Sequence, residues 1–227
     1  GGPAGDTISV PPGTYAEKIR LKGKSLTLTS TDPEDPTVRA ATVITGTGRL
    51  VTFADGETAD CVFTGFTIAG GSYGVFCAGA APSIENCTIA DNGCAGVKIW
   101  NEGDPTFRGC RIVGNATGVE MWAHRESRNV LRNYGTFRNC IIAANRKMGI
   151  DSGYPTLENC TVADNLGAGV SAVQAMVTNS ILYFNDENSG GTNLAAELPA
   201  KSSVTYSDVQ GGWQDTGNLD VDPLFLA

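Results

Sequence analysis

Between residues 82 and 185 the apolar and polar positions fall into one short phrase that recurs five times. It reads Ile84-Glu85-Asn86-Cys87-Thr88-Ile89, Phe107-Arg108-Gly109-Cys110-Arg111-Ile112, Phe137-Arg138-Asn139-Cys140-Ile141-Ile142, Leu157-Glu158-Asn159-Cys160-Thr161-Val162 and Val177-Thr178-Asn179-Ser180-Ile181-Leu182. Five residues after each Cys or Ser stands a further Asn: Asn92, Asn115, Asn145, Asn165 and Asn185. All but the last phrase then meet a Gly followed by a β-branched residue: Gly96-Val97, Gly118-Val119, Gly149-Ile150 and Gly169-Val170. Alternation of period two within runs of four to five residues, punctuated by Gly and Asn, predicts short strands. A unit of this size cannot bury its apolar face alone, so the repeats must stack into a solenoid with one continuous core.

Successive Cys or Ser positions are 23, 30, 20 and 20 residues apart, so the unit keeps its strands and varies in one connection. The segment from Cys61 to Gly70 carries the same phrase, with Phe66 at the Cys position and Gly65 at the Asn position. These repeats resemble the right-handed parallel β-helix of the pectate-lyase-like superfamily, and more closely its secreted bacterial repeat proteins. The opening Gly5-Asp6-Thr7-Ile8-Ser9-Val10-Pro11-Pro12-Gly13-Thr14-Tyr15 is similar to that family's first coil, and Gly217-Asn218-Leu219-Asp220-Val221-Asp222-Pro223-Leu224-Phe225 to its tail. The resemblance implies an all-β, three-sheet right-handed solenoid of about eight coils. We read residues 1–227 as a single such domain, a fragment of a larger secreted or cell-surface protein. It does not fix an activity, because lyases, hydrolases, esterases and adhesive modules share the fold.

In that architecture the second sharp bend carries an asparagine ladder. The resemblance assigns Asn86, Asn139, Asn159 and Asn179 to it, with Gly109 meeting the same backbone demand for a left-handed residue. The strands after the longer bend are Gly74 to Cys77, Gly96 to Trp100, Gly118 to Trp122, Gly149 to Ser152 and Gly169 to Ala172. Alternation turns Val75, Val97, Val119, Ile150 and Val170 inward. It turns Phe76, Lys98, Glu120, Asp151 and Ser171 outward in one row, and Trp100 and Trp122 in a second. Residues 7–30 read as the first coil, residues 32–36 as a proline-punctuated turn and residues 41–70 as a second coil. Trp213 and the tail read as a cap over the last rung.

Gly is 29 of 227 residues and aromatics 7%, a balance that favours short strands and many turns over long helices. The net charge of −8 argues against nucleic acid. It is unevenly spread: residues 98–147 carry nine basic and four acidic side chains, so a locally basic region sits on an acidic body and can focus anions. Seven cysteines would ordinarily suggest disulfides, but Cys87, Cys110, Cys140 and Cys160 share one position of the repeat. Phe66 precedes them and Ser180 and Ser207 follow, so we expect a buried ladder of free thiols. Cys61, Cys77 and Cys94 stay open. No run approaches the roughly 18 apolar residues of a membrane span, so no membrane insertion is expected, and the chain is read as a monomer.

Two tryptophans one rung apart make an apolar shelf suited to sugar faces, beside a stack of Lys98, Glu120 and Asp151 at about 5 Å intervals. The one long connection, residues 123–135, follows Trp122 and carries His124, Arg125, Arg128, Arg132 and Tyr134; long loops on rigid repeats are where function concentrates. The expected partner is a polysaccharide, and the leading reading is a lyase, with a non-catalytic binding module and a glycoside hydrolase as its alternatives. A lyase acting on a uronate polymer would use His124 or Lys98 as base, Tyr134 as acid, and Arg125, Arg128 or Arg132 on the substrate carboxylate. A glycoside hydrolase would use Glu120 and Asp151, whose in-register spacing near 5 Å belongs to retention; the same two carboxylates are the expected ligands if Ca²⁺ is a cofactor. A non-catalytic binding module would use Trp100 and Trp122 alone. The Asp-Asp doublet of polygalacturonases is absent, as is an outward-row Arg of the pectate-lyase kind, so no family role transfers residue by residue.

Overall fold

A computed structural model describes residues 5–122, 125–126, 129–130, 132–186, 192–196 and 201–225, with the side chains of 125, 126, 129 and 130 left aside. The chain winds as a right-handed parallel β-helix of three sheets and about eight coils. The first sheet has eight strands, among them Tyr73–Ala78, Ala95–Trp100, Thr117–Glu120, Ile150–Asp151 and Val170–Ala172. The second and third sheets have nine each; Ser83–Glu85 and Thr88–Ala90 represent them in the second repeat. Every strand of these sheets pairs in parallel with its copy one coil away, in the register of the recurring phrase: Ile84 with Phe107, Phe107 with Phe137, Phe137 with Leu157. All of these are fully or almost fully buried, as are Val75, Val97, Val119, Ile150 and Val170 across the core.

The first coil is shorter than expected. Strands Asp6–Val10, Gly13–Tyr15 and Ile19–Arg20 complete it, and Leu26–Ser30 already belongs to the next, paired on Asp6–Val10. Between the turn read at 32–36 and the coil read from 41, the chain forms a short α-helix, Pro36–Ala41. Its signal was present in the chain: the Asp35 carboxylate accepts from the Thr37 N–H at 2.7 Å, and Pro36 occupies the first turn where no N–H is needed.

The asparagine assignment needs correction. Asn86, Asn139, Asn159 and Asn179 do take positive φ, from 46° to 55°, and Gly109 takes 60°, so the backbone expectation holds. Their side chains, however, lie half-buried or exposed. The stacked amides belong to the other row. Asn92 Nδ2 donates to Asn115 Oδ1 at 3.0 Å, Asn115 to Asn145 at 3.2 Å, Asn145 to Asn165 at 2.8 Å, Asn165 to Asn185 at 2.7 Å and Asn185 to Asn193 at 2.8 Å. Each Oδ1 from Asn115 onward also accepts the main-chain N–H of the preceding Asn of the row, as Asn145 does from Asn115 at 3.0 Å, and Asn92 Oδ1 accepts from the Gly71 N–H at 3.0 Å. All six are at most 2% exposed. The Gly row exists to make room for them: a Cβ on Gly74, Gly96, Gly118 or Gly169 would stand 2.6–2.8 Å from an amide nitrogen of Asn92, Asn115, Asn145 or Asn185.

The thiol ladder is as expected. Cys87, Cys110, Cys140 and Cys160 are free and buried, Ser180 continues them with its hydroxyl accepting from the Cys160 N–H at 3.0 Å, and Ser207 repeats this on Ser180. Cys61 and Cys77 are also free and buried, whereas Cys94 is exposed. Burial, with the Glu57 charge adding, pushes the Cys61 thiol up to about 11 and the Cys77 thiol higher still. Reactivity needs both access and a thiolate. Native protein titrated with an aromatic disulfide reagent at pH 8 should therefore release one equivalent, from Cys94, and seven only after unfolding; two or more fast equivalents would contradict this core.

At the far end Trp213 packs against the core, and Asn218 Nδ2 donates to the Val204 carbonyl at 2.7 Å while its Oδ1 accepts from the Ser207 N–H at 3.0 Å. The tail thus covers the last rung, satisfying edge groups that would otherwise template pairing.

Candidate functional site: an indole shelf on the first sheet

Register places Thr52, Phe76, Lys98, Glu120, Asp151 and Ser171 in one outward row, each paired with the next across one coil. The row is less open than alternation alone suggests. The guanidinium carbon of Arg49 lies 3.5 Å from the centroid of the Phe76 ring, which is only 8% exposed. Lys98 is 7% exposed, its Nζ 2.6 Å from Glu120 Oε1. The same ammonium stands 5.1 Å from the Trp100 ring centroid and 5.5 Å from that of Trp122, within the range of cation–π attraction. Lys98 is thus roofed by two indoles and closed on its remaining side by a carboxylate; pairing with Glu120 accounts for its place in the row.

Trp122 remains 53% exposed, yet it is not loose, because its Nε1 donates to Asp151 Oδ2 at 3.0 Å. Asp151 Oδ1 in turn accepts from Ser152 Oγ at 3.0 Å, so both carboxylate oxygens serve to aim the indole. Trp100 is half-buried beside it. The Tyr73 phenol at the rim is held above its usual range by burial, with the Glu120 charge adding.

The long connection leaves the face at Trp122 and is tied at its neck. The buried Asn133 donates from Nδ2 to the Trp122 carbonyl at 2.6 Å, accepts from the Glu102 N–H at 2.9 Å through Oδ1, and offers its own carbonyl to the Tyr154 N–H at 3.0 Å. Between these ends Arg125–Glu126 and Asn129–Val130 pair as a small antiparallel hairpin. His124 and Arg128 lie outside the described residues, as does the Arg125 side chain. Tyr134 opens the strand Tyr134–Arg138 of the second sheet, where its ring stacks against Tyr154 with centroids 5.4 Å apart. Arg132 accompanies it, its guanidinium carbon 5.5 Å from the Tyr154 ring centroid. The structure therefore assembles Lys98, Trp100, Glu120, Trp122 and Asp151 on one sheet and sets Arg132 and Tyr134 around the corner on another. Asn133, which makes that division, carries no signal in the sequence, standing outside every repeat.

Oxygens of both Glu120 and Asp151 have protein partners in this structure. Ca²⁺ takes six to eight oxygens, whereas here one Glu120 oxygen faces the Lys98 ammonium and both Asp151 oxygens accept hydrogen bonds. Among the described residues no group of three or more His, Cys, Asp or Glu is placed to hold a metal ion. Nor is any helix among them long and apolar enough to cross a membrane.

The family model for the right-handed β-helix region matches residues 31–151, more than half of the chain, and the protein belongs to that family. Among solved structures, the deglycosylated pectin methylesterase from Aspergillus niger matches with a TM-score of 0.46 and 16% identity, over 94% of this chain and 64% of that one. This chain thus spans less than two thirds of that enzyme's length. No curated protein matches the sequence.

Proposed function

We propose that the protein is secreted or displayed at the cell surface and binds a polysaccharide along the first-sheet face. The observation that carries the reading is Trp122: a large apolar ring, more than half exposed, immobilised edge-on by Asp151 and set beside Trp100 over a buried charge. A solvated wall gains nothing from ordering an exposed indole. A sugar ring gains a flat, pre-oriented surface, with the partly exposed Glu120 carboxylate beside it to accept hydroxyl hydrogen bonds.

Retaining glycoside hydrolysis is a second reading, favoured by one feature: Glu120 and Asp151 are direct neighbours in register, about one strand spacing apart. The uronate-lyase reading requires a free base beside an acid. Lys98 is paired with Glu120, and Tyr134 stands on another sheet, so that reading rests on His124 and the loop arginines.

Affinity electrophoresis against a panel of neutral and acidic polysaccharides tests the proposal, with reducing ends and unsaturated uronates measured in the same incubations. Trp122→Ala is expected to lose at least tenfold in retardation while keeping the wild-type melting temperature within a few degrees. Equal retardation of wild type and variant on every polymer would remove the shelf from consideration. Reducing ends abolished by Asp151→Asn would establish the hydrolase, and unsaturated products the lyase.

A further inference from the structure

Around the corner from the shelf, the second sheet carries a shallow cleft of about 230 Å³ lined by Arg132, Tyr134, Tyr154, Thr156, Gln174 and Met176. Three consecutive coils contribute. Tyr134 and Tyr154 are register partners, as are Thr156 and Met176, and Gln174 comes from the connection just before the strand Met176–Thr178. Tyr134 is 40% and Met176 42% exposed, so the apolar floor is open to solvent. The phenol ring of Tyr154 lies under the Arg132 guanidinium and against Tyr134, which orders all three groups. The hydrogen bond to the Tyr134 hydroxyl raises the already high pKa of Arg132, which stays a cation at every relevant pH.

The cation of this cleft, Arg132, is held over the Tyr154 ring and lines the cleft beside both tyrosines. Arg20, Lys98, Arg108 and Arg138 each have a carboxylate within 4 Å, whereas no described carboxylate lies within that distance of Arg132. A guanidinium held in a stacked position, with its fork not taken by an internal acid, is a receptor for an external carboxylate. Beside it are a paired aromatic floor for a flat apolar face, and the Thr156 hydroxyl and Gln174 amide for neutral polar groups. The volume falls below the roughly 300 Å³ at which pockets for drug-sized ligands begin, so it suits a single ring.

We infer that the Arg132–Tyr134–Tyr154 cleft is a second binding site, for one acidic sugar residue, with its carboxylate on Arg132 and its pyranose face over the tyrosines. The choice of a sugar rests on the polysaccharide reading above; the site itself does not use Trp100 or Trp122. A chain held on the first sheet and one held here would lie on different sides of the same corner, giving the solenoid two points of attachment to acidic polymer.

The test is calorimetric titration of the whole protein with tri-galacturonate, its neutral galactose counterpart, and 4-hydroxybenzoate, at low and at 0.5 M salt. Arg132→Gln and Tyr154→Ala are each expected to weaken tri-galacturonate at least tenfold, Arg132→Lys to restore it only in part, and Trp122→Ala to leave one class of sites intact. The acidic trisaccharide should bind more weakly at high salt and the neutral one should not occupy this site. If Trp122→Ala abolishes all binding and Arg132→Gln changes nothing, the second site is overturned while the shelf stands. If Arg132→Gln weakens binding and Trp122→Ala has no effect on any ligand, the shelf fails and the cleft stands. Equal affinity for acidic and neutral trisaccharides overturns the carboxylate role, tighter binding of 4-hydroxybenzoate overturns the sugar, and no binding by the wild type overturns both sites. Arg132 is exposed, so loss through misfolding is not expected, and unchanged thermal unfolding of Arg132→Gln verifies it.

Discussion

Asn115→Ala is expected to destabilise the protein by about 3–5 kcal/mol, read as a fall in the denaturant midpoint at unchanged slope. The Asn115 amide is the partner of four groups that have no access to water. Its Oδ1 accepts from the main-chain N–H and from Nδ2 of Asn92, both at 3.0 Å, while its Nδ2 donates to the Ile89 carbonyl at 2.9 Å and to Asn145 Oδ1 at 3.2 Å. Truncation strands the buried Asn92 N–H, at about 1–3 kcal/mol, and removes the bonds to Asn92 Nδ2, the Ile89 carbonyl and Asn145 Oδ1, each worth about 0.5–1.5 kcal/mol, breaking a chain of amides that polarise one another. The control is Asn139→Gly, in the other asparagine row. Gly109 already fills that slot, so the change should cost less than about 1 kcal/mol. Comparable losses from the two substitutions would mean that the inner row is not the ladder that matters.

Gly96→Ala should be almost as costly, by about 3 kcal/mol, for a reason that is steric rather than polar. The added Cβ would meet Asn115 Nδ2 at 2.7 Å, the Gly118 carbonyl at 2.9 Å and Ile112 Cγ2 at 2.9 Å. One of these belongs to the backbone of the next coil, which cannot swing aside. The two substitutions share a partner, so they must not add. In an Asn115→Ala background the amide contact is gone and the backbone contact remains, so the cost of Gly96→Ala should fall without vanishing. Strict additivity in the double-mutant cycle would show that the Gly row answers to something other than the amides.

This coupling explains which parts of the architecture were legible in the sequence. Repeats spaced at 20–30 residues, with their inward apolar positions, give the coil and the register of its stacked phrases, and the resemblance to parallel β-helices implies the three sheets. The identity of the ladder was misread because both rows contain Asn, and type alone does not say which faces inward. The distinguishing signal is substitution between rungs. One row accepts Gly65 and Gly109, so it needs a backbone conformation; the other keeps its amide at Asn92, Asn115, Asn145, Asn165 and Asn185, so it needs the side chain.

The candidate site divides in the same way. Positions inside the repeat were placed by arithmetic: Lys98, Glu120 and Asp151 fall in register as counted, and Trp122 stands exposed. What alternation could not give is the enclosure of Lys98, because outward direction does not mean access when neighbouring indoles close over a side chain. Arg132 and Tyr134 were placed with the face because they follow Trp122 in the chain. Their true location depends on where the connection rejoins the solenoid, and a stretch outside the repeat carries no period from which to count.

That point of return is set by Asn133. By bonding the Trp122 carbonyl and the Glu102 N–H, it joins the two ends of the insertion with contacts made entirely by the coils themselves. A segment closed at its base in this way is an exchangeable cassette. Lengthening it costs only the slow logarithmic growth of loop-closure entropy, about 0.6 kcal/mol per doubling, and nothing in the coil register changes with it. Selection or design can then rewrite residues 123–131 to carry new chemistry, while the amide and thiol ladders go on specifying the same scaffold.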